Sequence, residues 1–218
     1  MTWDEVTPLL WPATWETLYM TGVATLFTAV FGLLLGVLLV VTERGGLLPV
    51  PPVNKVLGVV VNIGRSLPFL ILMVAIIPFT RAVVGTSIGN EAAIVPLTIG
   101  AIPFYARLVE IALREVDPGV IAAADAMGAT RREIVRKVML REARPGLVSG
   151  LTVTVIALIG YTAMAGTVGG GGLGNLAVVY GYQRFETGVM VATVVLLIVL
   201  VLIIQAVGDF VARRLTHR

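Results

Sequence analysis

Five apolar runs, each close to or above the length of a bilayer crossing, constrain this chain more than any other feature. They lie at Leu18 to Val41, Val56 to Phe79, Ala92 to Leu108, Leu147 to Val168 and Gly188 to Gly208. A hydrocarbon layer about 30 Å thick is crossed by about 20 helical residues, and runs of this length predict helices. With 57% hydrophobic and only 13% charged residues, the chain has more apolar surface than one globular core could hide, so lipid is its expected solvent. The expected fold is an all-α membrane protein of five transmembrane helices. No connecting segment has the composition of a separate soluble domain, so residues 1–218 are read as a single transmembrane domain.

Five crossings put the termini on opposite sides. Lys and Arg gather in loops that stay in the cytoplasm. Arg44, Lys55, Arg114, Arg131, Arg132, Arg136, Lys137, Arg141, Arg144, Arg213, Arg214 and Arg218 fall on one side, and Arg81 and Arg184 on the other. This count predicts the N-terminus outside, the C-terminus inside, and a cytoplasmic segment between helices 3 and 4. The net charge of +3 is distributed by topology rather than collected in a patch, which argues against nucleic-acid binding. The chain has no cysteine, and its one histidine, His217, is in the C-terminal tail. Cys-ligated metal and histidine-based catalysis are therefore not expected. Asp4 and Glu5 precede the first apolar run without a Lys or Arg, unlike a cleavable signal peptide, so the first helix is expected to be retained.

The charged cytoplasmic segment, about 117–141, is the best clue to function. Asp117-Pro118 reads as an N-cap with a first-turn proline, opening a short alanine-rich helix that ends at Gly128. Thr130 begins a second helix, with Glu133 completing a capping box. On that helix Ile134, Val135, Val138 and Met139 form an apolar stripe opposite Arg132, Glu133, Arg136 and Lys137, and Leu140 falls off the stripe as a potential contact. A basic amphipathic helix of this kind suits anionic lipid headgroups. The small residues Ala123, Ala124 and Gly128 instead suit a knob entering a groove on another protein.

Here the chain resembles the membrane subunits of ATP-binding-cassette importers, whose cytoplasmic loop reads E-A-A, three residues, G, nine residues, I-x-L-P. Ala123, Ala124, Gly128 and Leu140 match, and Val138 replaces the Ile conservatively; Ala122 and Arg141 stand at the Glu and Pro positions. Further stretches, among them Arg65-Ser66-Leu67-Pro68-Phe69 and Gly169-Gly170-Gly171-Gly172-Leu173-Gly174, are similar to the five-span methionine-import type of that family. The resemblance implies a coupling helix that docks on a separate ATPase, with Ala123, Ala124, Asp125, Gly128, Ala129, Thr130, Val138 and Leu140 as coupling residues. It also implies a homodimer in a bacterial inner membrane, two copies of the ATPase subunit and an extracytoplasmic substrate-binding protein. No cofactor is expected in this chain, ATP and Mg being bound by the partner. No G-x-x-x-x-G-K-[ST] loop occurs, which agrees with borrowed energy.

Several other features carry open readings. Gly169, Gly171 and Gly174 satisfy G-x-G-x-x-G but follow a membrane helix rather than a strand, so a backbone turn is expected instead of a dinucleotide site. Pro96 and Pro103 predict kinks, either structural or tied to transport. Gly32 with Gly36, and Gly146 with Gly150, have the spacing of close helix approach without naming the partner. Arg65, inside the second run, either snorkels or pairs, or else serves a pore or gate. Tyr161 and Met164 either pack or close an apolar gate. Arg107 with Glu110, and Asp209 with Arg213, are spaced to pair. A stand-alone secondary transporter or channel driven by an ion gradient is the rival reading; it would need ionisable groups near the bilayer midplane, which only Arg65 approaches.

Overall fold

The computed structural model describes residues 3–216; His217 and Arg218 lie outside the described residues. All regular structure among the described residues is helical. The first element, α1 (Trp3–Val41), begins well before the first apolar run and holds Pro8 and Pro12. At about 1.5 Å per residue it is longer than a bilayer is thick.

The second apolar run does not form one straight span. Instead α2 (Pro51–Ser66) and α3 (Phe69–Ala75) meet at 105°. The cause is local: Pro68 pushes Leu67 out of the helical region to φ −77, ψ 126, as the residue before a proline is pushed. A third short piece, α4 (Ile77–Val84), has Pro78 in its first turn and stops at Gly85, whose φ of 78 is left-handed. Among the described residues, four helices are thus long and apolar enough to cross a membrane, or five if the bent pair counts as one span.

The helix α5 (Asn90–Arg114) runs unbroken through Pro96 and Pro103, both buried. No helical break accompanies these prolines, and Pro103 serves packing: a Cβ on Gly64 of α2 would sit 2.8 Å from its Cγ. The glycine pairs find their partner here too. A Cβ on Gly32 would stand 2.8 Å from Tyr105, and one on Gly36 2.5 Å from Val109. From the other side a Cβ on Gly146 would stand 2.9 Å from Ala112, and one on Gly150 3.1 Å from Leu108. Small residues let both α1 and α9 (Arg144–Gly166) press their backbones against α5, because lipid supplies no hydrophobic drive and close packing must do so.

Between α5 and α9 run α6 (Pro118–Ala126), α7 (Arg131–Glu133), a π-helical turn at Ile134–Met139 and α8 (Leu140–Glu142). After α9 come α10 (Gly172–Leu176), a second π-helical turn at Ala177–Gln183 and α11 (Thr187–Leu215). The chain's α11 returns beside α9, with Gly208 against Thr152, which places Arg213 and Arg214 at the same end as Arg144. Asp209 on α11 accepts a 2.8 Å hydrogen bond from Gln205 rather than pairing with Arg213. Outward faces carry exposed Leu26, Leu34, Val59, Ile198 and Leu202, as lipid contact requires.

Candidate functional site

The segment between α5 and α9 is built from its caps. Asp117 Oδ1 accepts from Gly119 N at 2.7 Å, starting α6. The helix ends with Gly128 at φ 81, where its N–H donates to Asp125 O and the Ala129 N–H to Ala124 O. The expected capping box forms: Thr130 Oγ1 accepts from Glu133 N, and Glu133 Oε2 accepts from Thr130 N at 3.1 Å. Lys137 Nζ lies 2.8 Å from Glu133 Oε1, and these partners, Lys137 first, lower the Glu133 carboxyl from 4.5 to about 2. Asp125 pairs with Arg131 across the turn at 3.2 Å.

Beyond Glu133 the expected regular amphipathic helix is replaced by the π-helical turn, in which Leu140 N donates five residues back to Val135 O. Such a turn re-phases the faces. Ile134 and Met139 are buried together with Ala124, Val109 and Leu113, while Val138 and Leu140 pack partly buried against that cluster. Leu140 therefore turns towards the body of the protein instead of standing free, a correction to its expected place off the stripe. Of the small-residue knob, Ala124 faces inward and Ala123 outward. At the family proline position the helix continues through Arg141 to Glu142, and Pro145 instead lies in the first turn of α9.

The outward surface of the turn has a residue the sequence reading passed over. Met127 is 82% exposed, beside exposed Ala123, Ala126 and Gly128. Its signal was available: a long apolar side chain immediately before a left-handed glycine at the tip of a charged loop.

Charge ties this segment to the bundle. Arg107 and Glu110 pair as expected at 2.7 Å, but the network extends further. Arg114 reaches Glu110 at 2.7 Å and Glu43, in the turn after α1, at 2.6 Å. The Glu110 side chain is 5% exposed, so burial is tolerable only because two guanidinium groups surround it.

At the opposite end the glycine-rich loop is occupied by the chain's own side chains. Gly171 N donates to Asn90 Oδ1 at 3.0 Å, Gly172 N to Glu16 Oε2 at 2.6 Å, and Leu173 N to Thr17 Oγ1 at 2.9 Å. A backbone turn held by side chains of α1 and α5 is what this G-x-G-x-x-G forms. Of the three gate candidates, Arg65 and Tyr161 line one small recess with Phe69 and Phe104, and Tyr161 stacks on Phe69 at 4.6 Å between centroids. Met164 is exposed and lies outside that recess.

The family pattern described as "Binding-protein-dependent transport system inner membrane component" matches residues 32–217. The chain belongs to this family. It is an inner-membrane component of a transport system. The chain is 57% identical over 210 residues, 96% of its length, to the probable D-methionine transport system permease protein MetI of Vibrio cholerae, covering 93% of that protein. It is 53% identical over 209 residues to the methionine import system permease protein MetP of Bacillus subtilis, covering 96% of this chain and 94% of that one. A solved chain of the MetNI methionine ABC transporter, in a structure of its inward-facing conformations, superposes with a TM-score of 0.96 at 51% identity, with both chains fully covered. An amino-acid ABC transporter crystallised with histidines shares the fold at 20% identity, with a TM-score of 0.80 and 97% and 96% of the two chains covered.

Proposed function

We propose that this chain is the permease subunit of an ATP-driven importer of methionine, in both D- and L- forms, or of a related amino acid. The observation that carries this reading is the full-length likeness, in sequence and in shape, to a methionine ABC transporter chain. Two copies form the translocation path between them. A separate ABC ATPase, also in two copies, binds ATP and Mg, and an extracytoplasmic binding protein delivers the substrate.

In this reading the N-terminus is outside and the C-terminus inside, because the positive-inside rule places the basic end in the cytoplasm. The segment at about 117–141 is then a coupling element. Gly128 and Ala123 let Met127 enter a cleft on the ATPase, while Asp125, Ala129 and Thr130 hold the turn. Ala124, Val138 and Leu140 transmit its displacement, since they pack on the end of α5. Glu110, between Arg107 and Arg114, links the same end to the turn after α1, so the segment and the bundle move as packed bodies rather than bending. Arg65 and Tyr161, with Met164 nearby on α9, are the path-lining candidates.

An ion-driven mechanism gains no support from Glu110, because its two cationic partners already neutralise it. Uptake into liposomes tests the reading. Methionine should accumulate only when the chain is joined by its ATPase, MgATP and binding protein. Uptake by the chain alone, driven by a proton or sodium gradient, would overturn it.

A further inference from the structure

Arg65 stands near the middle of the membrane crossing, not at its edge. Its neighbour Gly64 presses on Pro103 of α5, where an added Cβ would lie 2.8 Å from the ring. Pro103 is 11 residues from the basic end of α5 at Arg114 and 13 from the other end at Asn90. At 1.5 Å per residue, even the nearer end is about 16 Å away, beyond the reach of a snorkelling side chain. No counter-ion is at hand. Among the described residues, the Arg65 side chain has neither an ion pair nor a hydrogen bond, and it shares its recess with Phe69, Leu72, Phe104 and Tyr161, none of them acidic. The carboxylates stand towards the two ends of the bundle: Glu16, Glu91 and Glu186 near the glycine-rich loop, Glu43, Glu110 and Asp209 near the basic end. A second copy of the chain, related by a two-fold axis along the path, carries the same acids at the same depths, so it supplies no partner either.

The surface of α2 shows which side the guanidinium takes. Val61 packs inward with Leu39 and Ala106, and Val56, Val60 and Ile63 form an exposed apolar face. Gly58, Asn62, Arg65 and Ser66 recur at i, i+4, i+7 and i+8 in a separate polar stripe. Ser66 is engaged with the Asn62 carbonyl at 2.7 Å, and a Cβ on Gly58 would meet nothing within 4 Å. A stripe ending in an unpaired cation is costly against lipid; in an importer the water at this depth is that of the path. We propose that Arg65, with Asn62 one turn before it, is the mid-membrane station for the carboxylate of the transported amino acid. The guanidinium fork donates two parallel hydrogen bonds to the passing carboxylate. Its charge is permanent, so it can hold an anion but cannot relay a proton. The group it recognises is common to D- and L-amino acids, and the side chain goes unread. This inference rests on the importer reading above.

The test uses the complete transporter, with ATPase and binding protein, in liposomes supplied with labelled methionine, made once with neutral and once with anionic lipid. Arg65→Gln should lower uptake roughly tenfold, the effect of losing a charge-assisted pair, and leave the melting temperature unchanged. Arg65→Lys, which keeps the charge without the fork, should retain part of the uptake. Arg65→His separates charge from shape: its uptake relative to the parent should be several-fold higher at about pH 6 than at about pH 8, because imidazole gains its charge near 6.5. Unchanged uptake by Arg65→Gln, an equal loss in all three variants, or an Arg65→His ratio indifferent to pH would each overturn the assignment while leaving the importer reading intact. A loss in Arg65→Gln confined to anionic liposomes would give the guanidinium a headgroup phosphate instead, and would overturn it too. Failure of the parent itself to take up methionine under these conditions would remove both readings.

Discussion

Gly128 sets the shape of the proposed docking turn, and its backbone angle makes a prediction that separates conformation from bulk. Its φ is 81, where an L-residue other than Asn or Asp costs roughly 1–2 kcal/mol. A Cβ built there meets nothing within 4 Å, so within this chain there is no steric cost to add. If the ATPase binds only the turn as folded, an Ala at this position lowers the competent fraction, and the apparent Kd rises by the inverse of that fraction. That corresponds to roughly a 5- to 30-fold loss of affinity. Asn, larger than Ala but tolerant of left-handed angles, should lose less, and Val should lose most. Affinity measured by titrating the purified ATPase onto the permease in nanodiscs should therefore follow Gly, Asn, Ala, Val. An order set by side-chain volume, with Asn below Ala, would show that a crowded cleft and not the backbone governs docking. Ala binding as tightly as Gly would refute the role of the turn altogether.

Other consequences follow from the packing and the charges. Gly36→Ala should destabilise the detergent-solubilised protein by about 1–3 kcal/mol through overpacking, because the added carbon would meet Val109. Gly22→Ala on the same helix, with open space around it, should be neutral or slightly stabilising, and thermal unfolding compares the two. Glu110→Ala removes the acceptor shared by Arg107 and Arg114; since both guanidinium groups are about half exposed they rehydrate, and the loss should be about 1–3 kcal/mol. An unchanged melting temperature would show that the network contributes nothing. The Glu133 carboxyl is held down to about 2 from 4.5, so its stabilisation of the capping box is fully present above about pH 4.5 and disappears as pH falls towards 2. Limited proteolysis of the 117–141 segment should accelerate through that window in the parent, while Glu133→Gln should show no such dependence on pH.

The local features of the 117–141 segment were legible because they depend on near neighbours. The Asp117 cap, the left-handed Gly128 and the Thr130–Glu133 box all form as the sequence indicates. A helical period of 3.6 puts Leu140 off the apolar stripe, whereas the π-helical turn before it re-phases the faces and packs it against the bundle. The bend at Leu67-Pro68 was hidden for a related reason: hydropathy averaged over Val56 to Phe79 registers greasiness, and the proline's effect on direction leaves no trace in it. The sequence marks Met127 as a long apolar side chain before a left-handed glycine, but its exposure at the tip depends on which face of α6 the bundle covers.

The sequence by itself determined that the chain lives in lipid, that it is helical, how its short helices begin and end, and which segments carry its positive charge. Hydropathy, capping and proline chemistry act over a few residues, so they can be read in order along the chain. The tertiary structure alone decided that α5 is the helix gripped by both glycine pairs. It also decided that Glu16 and Thr17 hold a loop 156 residues away. Those choices depend on which backbones approach closely enough to exclude a side chain, a property of pairs of helices that neither strand of sequence contains alone.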